Sequence, residues 1–139
     1  MQVLVVEDEP LIRMSVCDLL EEAGFTCTEA ASAWEALALL DGGLRPAILV
    51  TDFNLGPGLN GRALSTEALA RLPDLAVVHV TANADCLLEH GLRQREQVIA
   101  KPFQADDLVR CVQRLQAGAW FGAAVGQAPA EMVATLLAG

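Results

Sequence analysis

Four short runs of aliphatic and β-branched residues recur along the chain, each bounded by charges or turn formers. They are "QVLVV" (Gln2–Val6), "AILV" (Ala47–Val50), "LAVVHV" (Leu75–Val80) and "QVIA" (Gln97–Ala100). Their apolar residues stand side by side instead of alternating with polar ones, so both faces of each run must be covered. Strands of that kind belong to parallel sheets, whose neighbours can be joined only by long crossovers, usually helical. A fifth run, "FTCTE" (Phe25–Glu29), alternates apolar and polar residues, as an edge strand half open to water does.

The segments between the runs supply the crossovers. Ile12, Val16, Leu19, Leu20 and Ala23 follow helical spacing, and Gly24 ends that helix. "SAWE" (Ser32–Glu35) is a capping box that opens a second helix through Leu40. A third runs from about Gly61 to Leu72 and stops before Pro73, and a short fourth lies near Ala84–His90. The last carries Leu108, Val112 and Leu115 on one face, with Asp106 and Asp107 at its positive N-terminal end. Five β-α units predict an α/β fold: a doubly wound, five-stranded parallel sheet with helices on both faces. With Phe25–Glu29 at the edge, the flavodoxin-like strand order 2-1-3-4-5 follows.

The totals agree with this and exclude several functions. A chain of 139 residues with 53% hydrophobic content suits one globular core. A formal charge of −9, with no Lys/Arg cluster, argues against nucleic acid as a partner. Cys17, Cys27, Cys86 and Cys111 show no metal-type spacing and read as reduced core residues of a cytoplasmic protein. Neither a signal peptide nor a membrane span is expected.

In such a sheet the functional crevice lies beyond the carboxyl ends of the strands. The first strand ends in Glu7-Asp8, the third in Thr51-Asp52, the fourth in Thr81 and the fifth in Lys101-Pro102. Three carboxylates, a hydroxyl and an ammonium therefore converge on one rim. Like charges about 4 Å apart cost about 1–4 kcal/mol per pair in a partly solvated site. A small hard cation relieves this, and an oxygen-only donor set favours Mg²⁺ over zinc or copper.

"VLVVEDEPLIR", "ILVTDFNLGPGLNG", "VVHVTAN" and "VIAKPF", in this order, resemble the motifs of bacterial two-component response-regulator receiver domains, single-domain and chemotaxis-regulator-like. The resemblance spans roughly residues 2 to 116. It implies a phosphoacceptor, Asp52, served by a histidine kinase or phosphotransfer protein. It also implies Mg²⁺ held by Asp8, Asp52 and the Asn54 backbone carbonyl, with Glu7 acting through a water. Thr81 and Lys101 would engage the phosphoryl oxygens, and the Lys101–Pro102 bond would be cis. Asn54 and Asn83 stand where members of the family tune hydrolysis of the acyl phosphate.

Three departures stand out. Val98 occupies the position of the usual aromatic residue, in a chain without Tyr, and His79 interrupts the fourth strand. The Gly56-Pro57-Gly58 turn replaces the commoner loop after the phosphoacceptor. The expected organisation is a receiver over 1–117 and an apolar, partly helical extension over 118–139. The expected function is signalling by protein contact, with no DNA-binding output domain and no enzymatic turnover beyond self-phosphorylation and slow dephosphorylation. A downstream protein target, and a homodimer through the last strand-helix face or the tail, complete the partners. Two alternatives stand beside this reading: a pseudo-receiver without phosphorylation, and a small Mg²⁺-dependent aspartyl-phosphate phosphatase. The phosphatase would need an acid where Asn54 stands.

Overall fold

The computed structural model describes residues 2–53, 55, 59–82, 96–101 and 103–116. The expected helix at Ala84–His90, the Gly56-Pro57-Gly58 turn, Asn54, Asn83, Cys86, Pro102 and the 118–139 extension lie outside the described residues.

Strands β1 (Gln2–Val6), β2 (Thr26–Ala30), β3 (Ile48–Asp52), β4 (Ala76–Thr81) and β5 (Glu96–Ala100) form one parallel sheet in the order β2-β1-β3-β4-β5. The predicted topology is therefore the observed one. Helices α1 (Pro10–Glu22), α2 (Ala33–Asp41), α3 (Gly61–Arg71) and α4 (Ala105–Gln116) are described with it. Strand limits move by a residue or two from those read off the sequence, because pairing does not stop where the apolar run stops. Asp52 pairs with Val80 inside the β3–β4 ladder, and Thr81 pairs with Ala100 inside the next one.

Period-two alternation sends successive strand side chains to opposite faces and makes two cores. Val3, Val5, Val50 and Val78 face the cluster that holds Val16 and Leu20 of α1 and Leu108 and Val112 of α4. Leu4, Val6, Leu49 and Val77 face Leu37 of α2 and Leu64 of α3. Burying each such side chain contributes about 1.5–3 kcal/mol before chain entropy is charged against it.

Local chemistry sets the helix ends. Pro10 opens α1, where its missing N–H has no intrahelical partner to lose. Gly24 then turns the chain with φ 99°, a value that other residues rarely adopt. Ser32 accepts from the Glu35 N–H at 3.1 Å, as a capping box requires, but the Glu35 carboxylate reaches back to the Ala31 N–H at 3.3 Å. At α3, Asn60 Oδ1 accepts from Ala63 N–H at 2.8 Å. The next residue is a glycine for a steric reason. A Cβ on Gly61 would sit 2.5 Å from the Asp52 carbonyl oxygen and 2.8 Å from Phe53 Cα, so α3 starts directly against the end of β3.

One buried feature is polar. His79 Nε2 lies 2.8 Å from Glu96 Oε2, both side chains are 0% exposed, and the Ser65 hydroxyl donates to the same oxygen at 2.7 Å. The cluster ties β4, β5 and α3 together, while His79 Nδ1 has no partner among the described residues. Removing one member of such a buried set strands the others. Glu96→Ala or His79→Ala alone is expected to cost about 3–5 kcal/mol. An apolar pair, His79→Leu with Glu96→Met, should recover most of that loss in urea unfolding.

Candidate functional site

The sheet's hydrogen bonding runs one residue past the strands and so fixes the rim. Glu7 N–H donates to Ala30 O at 3.1 Å, Phe53 N–H to Val80 O at 3.2 Å, and Lys101 N–H to Thr81 O at 2.8 Å. The backbone just after β1, β3 and β5 is thereby held in ladder register, which brings Glu7, Asp8, Asp52 and Lys101 together.

Glu7, Asp8 and Asp52 each offer a carboxylate oxygen, all within 4.8 Å of one another. Glu7 and Asp52 are buried and Asp8 is exposed, so the cluster opens to solvent on one side. Lys101 Nζ donates to Asp52 Oδ2 at 2.7 Å from the next strand but one. Thr81, fully buried, ends the strand between them. The donor set suits a hard divalent cation: oxygens only, convergent, and with one exposed member leaving room for waters that Mg²⁺ retains. A hollow of about 20 Å³, space for about one water, lies beneath, lined by Glu7, Asp52, Lys101, Ile12, Val80 and Phe103.

Glu7 responds to this crowding. Burial first, and then its hydrogen bond with Asp52, raises its carboxyl from an ordinary 4.5 to about 8. At neutral pH it therefore keeps a proton and can donate to Asp52 instead of repelling it. The backbone around it is pinned as well: Arg13 Nη1 donates to Glu7 O at 2.7 Å while Arg13 Nε bonds Glu29 at 3.0 Å.

Of the residues singled out in the sequence, Glu7, Asp8, Asp52 and Lys101 come together, with Thr81 on the adjacent strand end; Asn54 lies outside the described residues. Sequence reading missed Arg13 and the Ser65–Glu96 pair. Glu96 carried a signal of its own: an acid immediately before the strand run Gln97–Ala100. Val98 is buried and stands in register with His79.

Linkage gives the first test. A carboxyl raised in the folded state holds a proton that the unfolded chain has already released, so stability falls as pH rises from about 4.5 toward 8. Without divalent ions, urea unfolding should show this decline over that window, and Glu7→Gln should flatten it.

The profile of the response regulator receiver domain matches residues 3–113. The chemotaxis protein CheY of Pseudomonas aeruginosa is 35% identical over 120 residues, which is 83% of this chain and 95% of that protein. The C4-dicarboxylate transport transcriptional regulatory protein DctD of Rhizobium meliloti is 37% identical over 116 residues, 82% of this chain and 25% of that protein. Against several curated relatives, DctD among them, the chain thus spans about a quarter of their length. Among solved structures, a response regulator from Thermotoga maritima in complex with Mg²⁺-BeF superimposes with a TM-score of 0.70 at 27% identity, covering 82% of this chain and 97% of that one.

Proposed function

Because the chain belongs to the response regulator receiver family, we propose that Asp52 accepts a phosphoryl group from a histidine kinase or phosphotransfer protein and that the fold signals by protein contact. The Asp52–Lys101 pair beside an oxygen-only acidic cluster is the observation that carries this reading.

In the transfer, a carboxylate oxygen of Asp52 attacks phosphorus, the donor's P–N bond breaks, and the departing imidazole keeps the electron pair. The product is an acyl phosphate on Asp52. An anion attacking an anionic phosphoryl group needs its charge offset, and Lys101 supplies a fixed ammonium within reach of the nucleophile. Asp8 and Asp52, with Glu7 once it is deprotonated, would hold a divalent cation. Mg²⁺ is the reading their chemistry supports, and it is the ion found with the Thermotoga relative. When bound, it would neutralise phosphoryl oxygens. Thr81, which ends the strand between Asp52 and Lys101, would engage a phosphoryl oxygen, and Arg13 keeps the Glu7 backbone from drifting.

Two features support action by protein contact in the cytoplasm. The charge of −9 disfavours DNA as a direct ligand of these residues. Among the described residues, no helix is long and apolar enough to cross a membrane. On α1, beside the acidic cluster, Leu11 is 77% exposed, Ile12 45% and Met14 52%. A donor protein must bring its histidine to Asp52, and this apolar strip is the ground it would cover. The remaining chemistry is slow self-dephosphorylation, without turnover of other phosphoesters.

Incubation with a small acyl phosphate and Mg²⁺ should add one phosphate-sized mass, and Asp52→Asn should abolish it. Lys101→Ala should slow the reaction by roughly 10²-fold, the size seen when one charge-stabilising donor is removed. No mass gain in any sample would favour the pseudo-receiver, and steady phosphoester turnover would favour the phosphatase. A separate outcome tests the docking strip. Leu11→Glu with Met14→Glu should weaken transfer from a phosphorylated protein donor by roughly tenfold or more, while small acyl phosphates react at the unchanged rate.

A further inference from the structure

Two thiols ten positions apart in the chain meet on one face of the sheet. Cys17 lies on the inward stripe of α1 and is 3% exposed, while Cys27 lies half-buried on the edge strand β2. Cys27 stands in register with Val3, and it packs against the apolar cluster that contains both Val3 and Cys17. Each thiol lies close enough to shift the other's ionisation. Arg13, one turn before Cys17, bonds Glu29, two residues after Cys27. The seam between α1 and β2 therefore carries an ion pair near the rim and a thiol pair beneath it.

We propose that Cys17 and Cys27 form an oxidisable dithiol site, converted by a hydroperoxide into an intramolecular disulfide that ties α1 to the sheet edge. Edge position leaves the Cys27 sulfur as the one a small oxidant reaches. Its interaction with Cys17 also lowers the Cys27 thiol below its ordinary value, although burial and the nearby Glu21 and Glu29 act the other way. A lowered thiol favours the thiolate, which is the nucleophilic form. Cys17, enclosed on the inward face of α1, is the resolving partner. Cys111, 2% exposed on α4 and pushed up to about 12 by burial, provides an internal control.

The chemistry balances with the peroxide as the only co-reactant. The Cys27 thiolate attacks one peroxide oxygen, the O–O bond breaks, and the departing hydroxide takes a proton to become water. Cys27 is then a sulfenic acid. The Cys17 sulfur attacks that sulfur, the S–O bond breaks, and the hydroxyl leaves as water with the Cys17 proton. One peroxide is reduced, two thiols are oxidised, and two waters form. Because both side chains pack into one cluster across the seam between α1 and the edge strand, closing to about 2.05 Å asks for a local adjustment of that strand and not for refolding.

The folded full chain is treated with stoichiometric hydrogen peroxide, alkylated after denaturation, and mapped by mass spectrometry without reduction. The expected product is a monomer with the Cys17 and Cys27 peptides cross-linked, two hydrogens lighter, reversed by dithiothreitol, with Cys86 and Cys111 alkylated. Cys27→Ser should abolish the cross-link. Cys17→Ser should leave a Cys27 sulfenic acid that dimedone traps, and circular dichroism checks that both variants fold. Full alkylation of Cys17 and Cys27 after oxidation of the unaltered chain would overturn the proposal, as would a bridge from either one to Cys86 or Cys111.

Discussion

The ion pair between Lys101 and Asp52 depends on almost everything else in the fold being in place. Its partners follow β5 and end β3, with β4 between them, so a 2.7 Å contact requires three strands in correct parallel register. A slip of one residue would turn every side chain of a strand to the opposite face. The apolar runs forbid that slip: Val50, Val78 and Ile99 would leave one core for the other. Hydrophobic burial thus sets the register, and register sets the distance between the Asp52 carboxylate and the Lys101 ammonium.

Much of this was legible in the residues because its causes are local or periodic. Continuous apolar runs declare two-sided burial, and the alternation in Phe25–Glu29 marked an edge. The parallel topology then places Glu7, Asp8, Asp52, Thr81 and Lys101 at one end without any knowledge of distances. What stayed hidden depends on pairing between elements that pattern alone does not specify. Ser65 sits on the inward side of a helix whose apolar stripe is weak, and Glu96 was read as the residue before a strand when it is the strand's first. Only the fold shows that they meet at His79. Likewise Cys17 and Cys27, read as separate core residues, become neighbours because a helix stripe and a strand parity select the same face of the sheet.

The buried Ser65–Glu96–His79 cluster bears on the departure at Val98. An aromatic ring at that position would need space near β4, and here the strand partner of Val98 is a histidine already committed to Glu96. Polar groups with no access to water hold their geometry tightly, since any movement breaks bonds that nothing replaces. The β4–β5 side of this sheet is therefore stiffened by hydrogen bonds where apolar packing would have allowed sliding. Gly61 does something similar at β3. Its missing side chain lets α3 begin against the Asp52 carbonyl, so the helix carrying Ser65 and the strand carrying Asp52 are joined with almost no slack.

Charge balance at the rim sets Glu7 apart from an ordinary helix-end acid. With all three carboxylates ionised, the cluster and Lys101 would carry two net negative charges in a half-buried place. Raising Glu7 to about 8 removes one of them at neutral pH by keeping a proton on the most enclosed acid. A divalent ion entering beside Asp8 and Asp52 would displace that proton, leaving three carboxylates, one ammonium and one dication with no net charge. The proton on Glu7 thus offsets charge that a divalent cation would otherwise offset. An Asp exposed at the same position would lack this property, because the shift comes first from burial, and burial comes from β1 delivering Glu7 directly beneath the rim.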